Sequence, residues 1–204
     1  MKRLIFTILL AAVLWTLMFS PLTAPYLNFW WMMTGSAATL SLLAALFNKG
    51  WRNSLKVDFT NVAIGVAVAA LLWSIFWVGD KLSSLLFNFA GQQVDLIYAM
   101  KSGESPWLLS LLMIFIIGPG EEFFWRGYVQ RAFSERWNPN IGFAVATLLY
   151  TLVHVGSCNF MLIMAALTAG VVWGLFYRLF PSKFAAIIIS HALWDAAVFI
   201  WFPI

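Results

Sequence analysis

Apolar and polar positions fall in long blocks along this chain, not in the short periods of a soluble fold. Seven apolar runs can be drawn, at about 4–19, 26–47, 61–78, 106–133, 141–155, 160–180 and 184–202. A helix crossing a bilayer needs about 20 largely apolar residues, with roughly 17–25 tolerated. The fourth run is unusual, because its clean apolar stretch, 107–117, is too short alone. It continues through Gly118-Pro119-Gly120 into Glu121-Glu122-Phe123-Phe124-Trp125-Arg126. The fifth run is marginal in length, and its polar end has to lie inside protein. The architecture expected is all-α: a polytopic transmembrane helix bundle of about seven spans, forming a single integral membrane domain over residues 1–204.

Between the third and fourth runs lies the one long connection, 79–105. Leu82, Leu85, Leu86 and Phe89 share a helical face there, so a short interfacial helix is expected over 81–90. It reads as a passive connector in preference to a lid. Gly170-xxx-Gly174 has the spacing of close helix packing.

Composition excludes a water-soluble domain. Of the 204 residues, 63% are hydrophobic and 10% charged, with a mean hydropathy of +0.88, against about 45–50% apolar and about 25% charged in ordinary soluble domains. The bilayer must act as solvent for most side chains. One cysteine, Cys158, precludes an intrachain disulfide. Twelve tryptophans suit interfacial belts, as at Trp30-Trp31, Trp51, Trp107 and Trp201. The opening Met1-Lys2-Arg3 before an apolar run also fits a signal peptide, but Pro25 follows the possible small-residue site Leu22-Thr23-Ala24 and is a poor residue after a cut, so a retained helix is expected.

The net charge of +4 does not signal nucleic acid, and none is expected as a partner, because the cations flank the apolar runs. With the N-terminus cytoplasmic, nine of them (Lys2, Arg3, Lys49, Arg52, Lys56, Arg131, Arg136, Arg178 and Lys183) fall on the cytoplasmic side and two (Lys81 and Lys101) opposite. That asymmetry predicts seven spans with the C-terminus outside.

Six ionisable residues remain that lipid cannot accommodate: Glu121, Glu122, Arg126, His154, His191 and Asp195. A charged side chain at mid-membrane costs about 2.5–3.5 kcal/mol on insertion scales, and such residues face a protein interior or a wet cavity. Both histidines of the chain are in this set. Glu122 and Arg126 are four apart and can pair. Glu121 lies about 100° around the helix from Glu122 and can serve another partner. Tyr150 with His154, and His191 with Asp195, repeat the four-residue spacing. Three polar stripes on the fourth, fifth and seventh spans can converge on one cavity. A carboxylate and an imidazole can hold a water and take its proton, while a second histidine, oriented by Asp195, can donate to an oxyanion. Buried carboxylates and histidines also serve ion-coupled transport, but no inverted repeat or second broken helix is visible.

Glu121-Glu122-xxx-Arg126, then Tyr150-xxx-His154, then His191-xxx-Asp195 resembles the three-motif signature of the CPBP family (CAAX proteases and bacteriocin-processing or self-immunity proteins, also called Abi). The likeness runs over 106–202 as a protease-like core, with type II CAAX prenyl proteases the nearest branch. It implies an intramembrane protease, with Glu121 and His154 activating water; the glutamic type is expected from the residues themselves, because no His-Glu-x-x-His pair exists and Glu121 is the only carboxylate left free once Glu122 pairs with Arg126. His191 and Asp195 would form the oxyanion site, and Glu122, Arg126 and Tyr150 would support the geometry. Two departures stand out: Tyr150 where the family usually has Phe, and Asp195 where it often has Asn. The implied partners are the lipid bilayer and a peptide or protein substrate entering from it. The implied location is a bacterial inner (cytoplasmic) membrane. No cofactor is expected. A zinc-dependent version would use Glu121, His154 and His191 as ligands, and a non-catalytic binding or immunity protein is the other alternative.

Overall fold

The structure, a computed structural model, describes residues 1–48 and 55–204. Lys49, Trp51 and Arg52, used above for sidedness and for the aromatic belt, lie outside the described residues.

Among the described residues there are helices and no strands. They are α1 (Lys2–Phe19), α2 (Phe29–Phe47), α3 (Phe59–Leu86), α4 (Ala90–Ala99), α5 (Pro106–Arg136), α6 (Pro139–Leu152), α7 (Phe160–Leu179) and α8 (Phe184–Ala196). All but α4 belong to the seven segments long and apolar enough to cross a membrane. The all-α seven-span expectation therefore stands. Several helices open on a capping side chain. Asn28, Asp58, Ser105, Asn138 and Asn159 each accept a first-turn backbone N–H, which satisfies donors that lipid cannot. The Asn61 N–H that Asp58 accepts holds this carboxyl below its ordinary range.

α5 is the central helix, with every residue from 124 to 130 buried. It is not broken at Gly118-Pro119-Gly120. Pro119 has no N–H and its ring crowds the carbonyl four residues back, so the preceding turn, Met113–Ile117, widens to a π turn in which the Gly118 N–H reaches the Met113 carbonyl. A second π turn, Trp125–Gln130, follows the two glutamates. Wide turns of this kind occur often at functional sites.

Gly118 lets α5 approach α8, since a Cβ there would stand 2.8 Å from the Ala192 backbone. Gly170 and Gly174 face Tyr150, Thr147 and Phe143 of α6, in keeping with their packing spacing.

The connection after the third span differs from expectation. Residues 81–86 do not form a separate interfacial helix; they extend α3, and the separate helix is α4, at Ala90–Ala99. The connection is tied to its neighbours at both ends. The Gln93 carbonyl and side chain bind Asn159 and the Met161 N–H at the start of α7. At the far end Tyr98 and Lys101 donate to the Val198 and Phe199 carbonyls, which the π turn Ala197–Trp201 ending α8 leaves available. Burial pushes the Tyr98 phenol up, so it stays a donor.

Trp31, Trp107 and Trp201 are exposed, as a belt requires, whereas Trp30 is buried. The indole of Trp30 donates to the Met100 carbonyl, so it is a core residue and not a belt residue.

Candidate functional site

All six ionisable residues singled out from the sequence are buried. Four of them, Glu121, His154, His191 and Asp195, line one cavity of about 510 Å³ together with Tyr150. α5, α6 and α8 supply these residues, while α2, α3, α4 and α7 add largely apolar walls. Glu122 and Arg126 are not among the lining residues.

The two adjacent glutamates have different surroundings. Glu122 Oε1 accepts from Arg126 at 2.9 Å and from His191 Nδ1 at 2.6 Å. The i,i+4 pairing with Arg126 is present, and the same oxygen also reaches the seventh span. The Arg126 guanidinium lies over the Tyr150 ring at 4.7 Å and the Trp173 ring at 5.6 Å, so aromatic faces support a buried cation. The other glutamate, Glu121, faces the cavity with its Oε2 buried and without a hydrogen-bond partner. The Tyr150 hydroxyl is its neighbour. No direct hydrogen bond joins Glu121 to His154.

His191 is held on three sides. Besides Glu122, its Nε2 lies 3.5 Å from Asp195 Oδ2, and the Trp173 ring stacks on it at 3.8 Å, 18° from parallel. The His191–Asp195 contact expected from spacing is thus the longer of its two carboxylate contacts. The Trp173 indole donates to Ser190, which pins the stacking ring in turn.

His154 sits where α6 ends and the chain turns through Val155–Ser157, so its stripe is the last turn of a short helix. Its Nδ1 is 2.8 Å from the Tyr150 carbonyl. A carbonyl only accepts, so Nδ1 carries the hydrogen and Nε2 the lone pair. That Nε2 receives the Trp15 indole N–H at 3.3 Å, from α1.

Metal ligation by Glu121, His154 and His191 does not fit this donor set. The Nδ1 of each imidazole is committed to a protein acceptor, the Tyr150 carbonyl for His154 and Glu122 for His191. Among the described residues, no three His, Cys, Asp or Glu side chains are grouped so as to hold one ion.

The sequence reading did not include Trp15, Phe19 and Trp173. Trp15 and Trp173 are each an indole within an apolar run, and an indole N–H in lipid needs a partner. That was the available signal.

An all-α bundle of seven candidate spans, with a buried Glu/His/Asp cluster open to an apolar cavity, defines a polytopic membrane protein of enzyme-like build. Residues 102–197 match the family described as Type II CAAX prenyl endopeptidase Rce1-like, in keeping with the likeness of its three motifs. That likeness implies a peptide hydrolase of the membrane. No curated protein and no solved structure matches the chain.

Proposed function

We propose that the chain is an intramembrane endopeptidase that cleaves a membrane-associated or C-terminal-tail substrate with a water activated by Glu121 and His154. The observation that carries this reading is Glu121 Oε2, a buried carboxylate oxygen with no protein partner on a residue lining the same cavity as His154, His191 and Asp195. One water between Glu121 and His154 gives up a proton to the carboxylate. Its oxygen forms the C–O bond at the scissile carbonyl, and the proton passes to the departing amine as the C–N bond breaks. His191, backed by Asp195, donates to the oxyanion. With Nδ1–H committed to Glu122, donation from Nε2 needs the doubly protonated ring. The surroundings favour it, because the ring lies between two carboxylates, Glu122 and Asp195. Positioned donors of this kind contribute about 10²–10³ in rate.

The family description favours a prenylated CAAX tail as substrate, and the apolar cavity walls suit a lipid-like group beside the scissile bond. The proposed setting is a bacterial inner membrane with the N-terminus cytoplasmic. The proposed chemistry needs no metal.

The test is cleavage of a farnesylated CAAX-ended reporter peptide, and of the same peptide unfarnesylated, by purified protein. Glu121→Gln and His154→Ala should each lose about 10²–10⁴-fold in turnover while remaining folded. Near-normal turnover in Glu121→Gln would show that the base is misassigned. Binding of both peptides without cleavage would favour the non-catalytic alternative.

A further inference from the structure

We infer that Trp15 is a positioning residue for His154, supplied by α1 from outside the segment that matches the protease family. His154 has two ring nitrogens and the structure accounts for both. Nδ1–H is committed to the Tyr150 carbonyl at 2.8 Å, so Nε2 is the nitrogen whose lone pair can engage a water hydrogen. The Trp15 indole N–H points at that lone pair from 3.3 Å, at the long end for a hydrogen bond between nitrogens. A contact this long aims the ring yet yields to a better donor.

The arrangement is built and not incidental. Trp15 is buried, and its ring meets Trp125 of α5 edge-on at 6.5 Å. One turn later in α1, Phe19 packs against the His154 ring at 5.4 Å and lines the cavity. Thr16 lies 3.3 Å from where a Gly156 Cβ would stand, so α1 is also close to the turn after His154. α1 therefore grips the end of α6 where the imidazole is mounted, at a point where α6 has run out of helix to hold it.

Two consequences follow. The imidazole rests in the Nδ1–H tautomer with its lone pair occupied, and the water to be activated takes the place of the indole at Nε2. The first concerns the ring alone; the second rests on the water-activation reading above.

The chain has two histidines, so ¹⁵N-histidine labelling gives a spectrum of two imidazoles, assigned by a His154→Ala sample. In the unmutated protein His154 should show the Nδ1–H tautomer; the Nε2–H tautomer would overturn the inference without any variant. In Trp15→Phe the unprotonated Nε2 resonance should move downfield on losing its donor, with His191 unmoved. Trp73→Phe, which removes the indole bond to the Phe202 carbonyl on the far side of α8, should move neither. With the farnesylated CAAX reporter, Trp15→Phe should lower kcat about 5–10-fold, because a ring released from the indole is no longer aimed at the incoming water, and leave KM within about twofold. An unmoved His154 resonance overturns the positioning role. A moved resonance with unchanged kcat, in a preparation where His154→Ala is inactive, overturns its catalytic consequence. If His154→Ala itself stays active, the water-activation reading fails, and the Nε2 resonance still decides the role of Trp15.

Discussion

His191 Nδ1 stands 2.6 Å from the Glu122 oxygen that Arg126 approaches at 2.9 Å. One carboxylate oxygen thus ties the fourth span to the seventh. Glu122 is a junction that holds an imidazole and a guanidinium in place, which leaves Glu121 as the glutamate presented to the cavity.

The junction should appear in stability. Arg126→Met leaves Glu122 buried without its guanidinium, and breaking a buried pair this way costs about 3–5 kcal/mol. Glu122→Gln should be destabilising as well. The double variant should lose less than the sum, because each change removes the other's unpaired charge. Unfolding in detergent, followed as a double-mutant cycle, measures the coupling; strict additivity would show that the contact carries no energy.

Close approach of α5 to α8 gives a second expectation. Gly118→Ala puts a methyl against the Ala192 backbone, next to His191. Overpacking of this kind costs about 1–3 kcal/mol, and turnover should fall because His191, the proposed oxyanion donor, is displaced. Gly35→Ala, where a Cβ meets nothing within 4 Å inside α2, should be neutral or slightly stabilising. Melting temperature and turnover of the two variants, side by side, separate packing from a general intolerance of substitution.

Chelation addresses the chemistry. Because no three His, Cys, Asp or Glu side chains among the described residues are grouped to hold one ion, activity is expected to survive exhaustive treatment with a membrane-permeant chelator, and purified active protein should hold far less than stoichiometric metal. Loss of activity restored by added zinc would overturn the glutamic assignment and make Glu121, His154 and His191 ligands.

Sidedness follows from the cationic flanks. Reporter fusions at Arg136 and Lys183 should read cytoplasmic and a fusion at Lys101 external. A cytoplasmic Lys101 would contradict the topology, because an odd number of spans must separate it from the N-terminus in the proposed arrangement.

Much of this protein could be read from the order of its residues. The number and approximate ends of the spans were legible because a bilayer demands long apolar runs, and such runs are a local property of the chain. The candidate site was legible for the same reason. Six ionisable residues in apolar segments have no local explanation, and spacings of four residues placed Glu122 with Arg126 and His191 with Asp195 before any contact was known. Spacing along one helix says nothing, however, about partners on another. Only the tertiary structure decided that His191 lies closer to Glu122 than to Asp195 and that Trp173 stacks beneath it. It also decided that Trp15 of the first helix reaches His154 across 139 positions of sequence. The engagement of α4 and the residues just after it with the ends of α7 and α8 depended likewise on contacts between distant segments. The physical reason is the same in each case: a hydrophobic run records its own solvent, while a hydrogen bond or a ring stack depends on which segments the packing brings together.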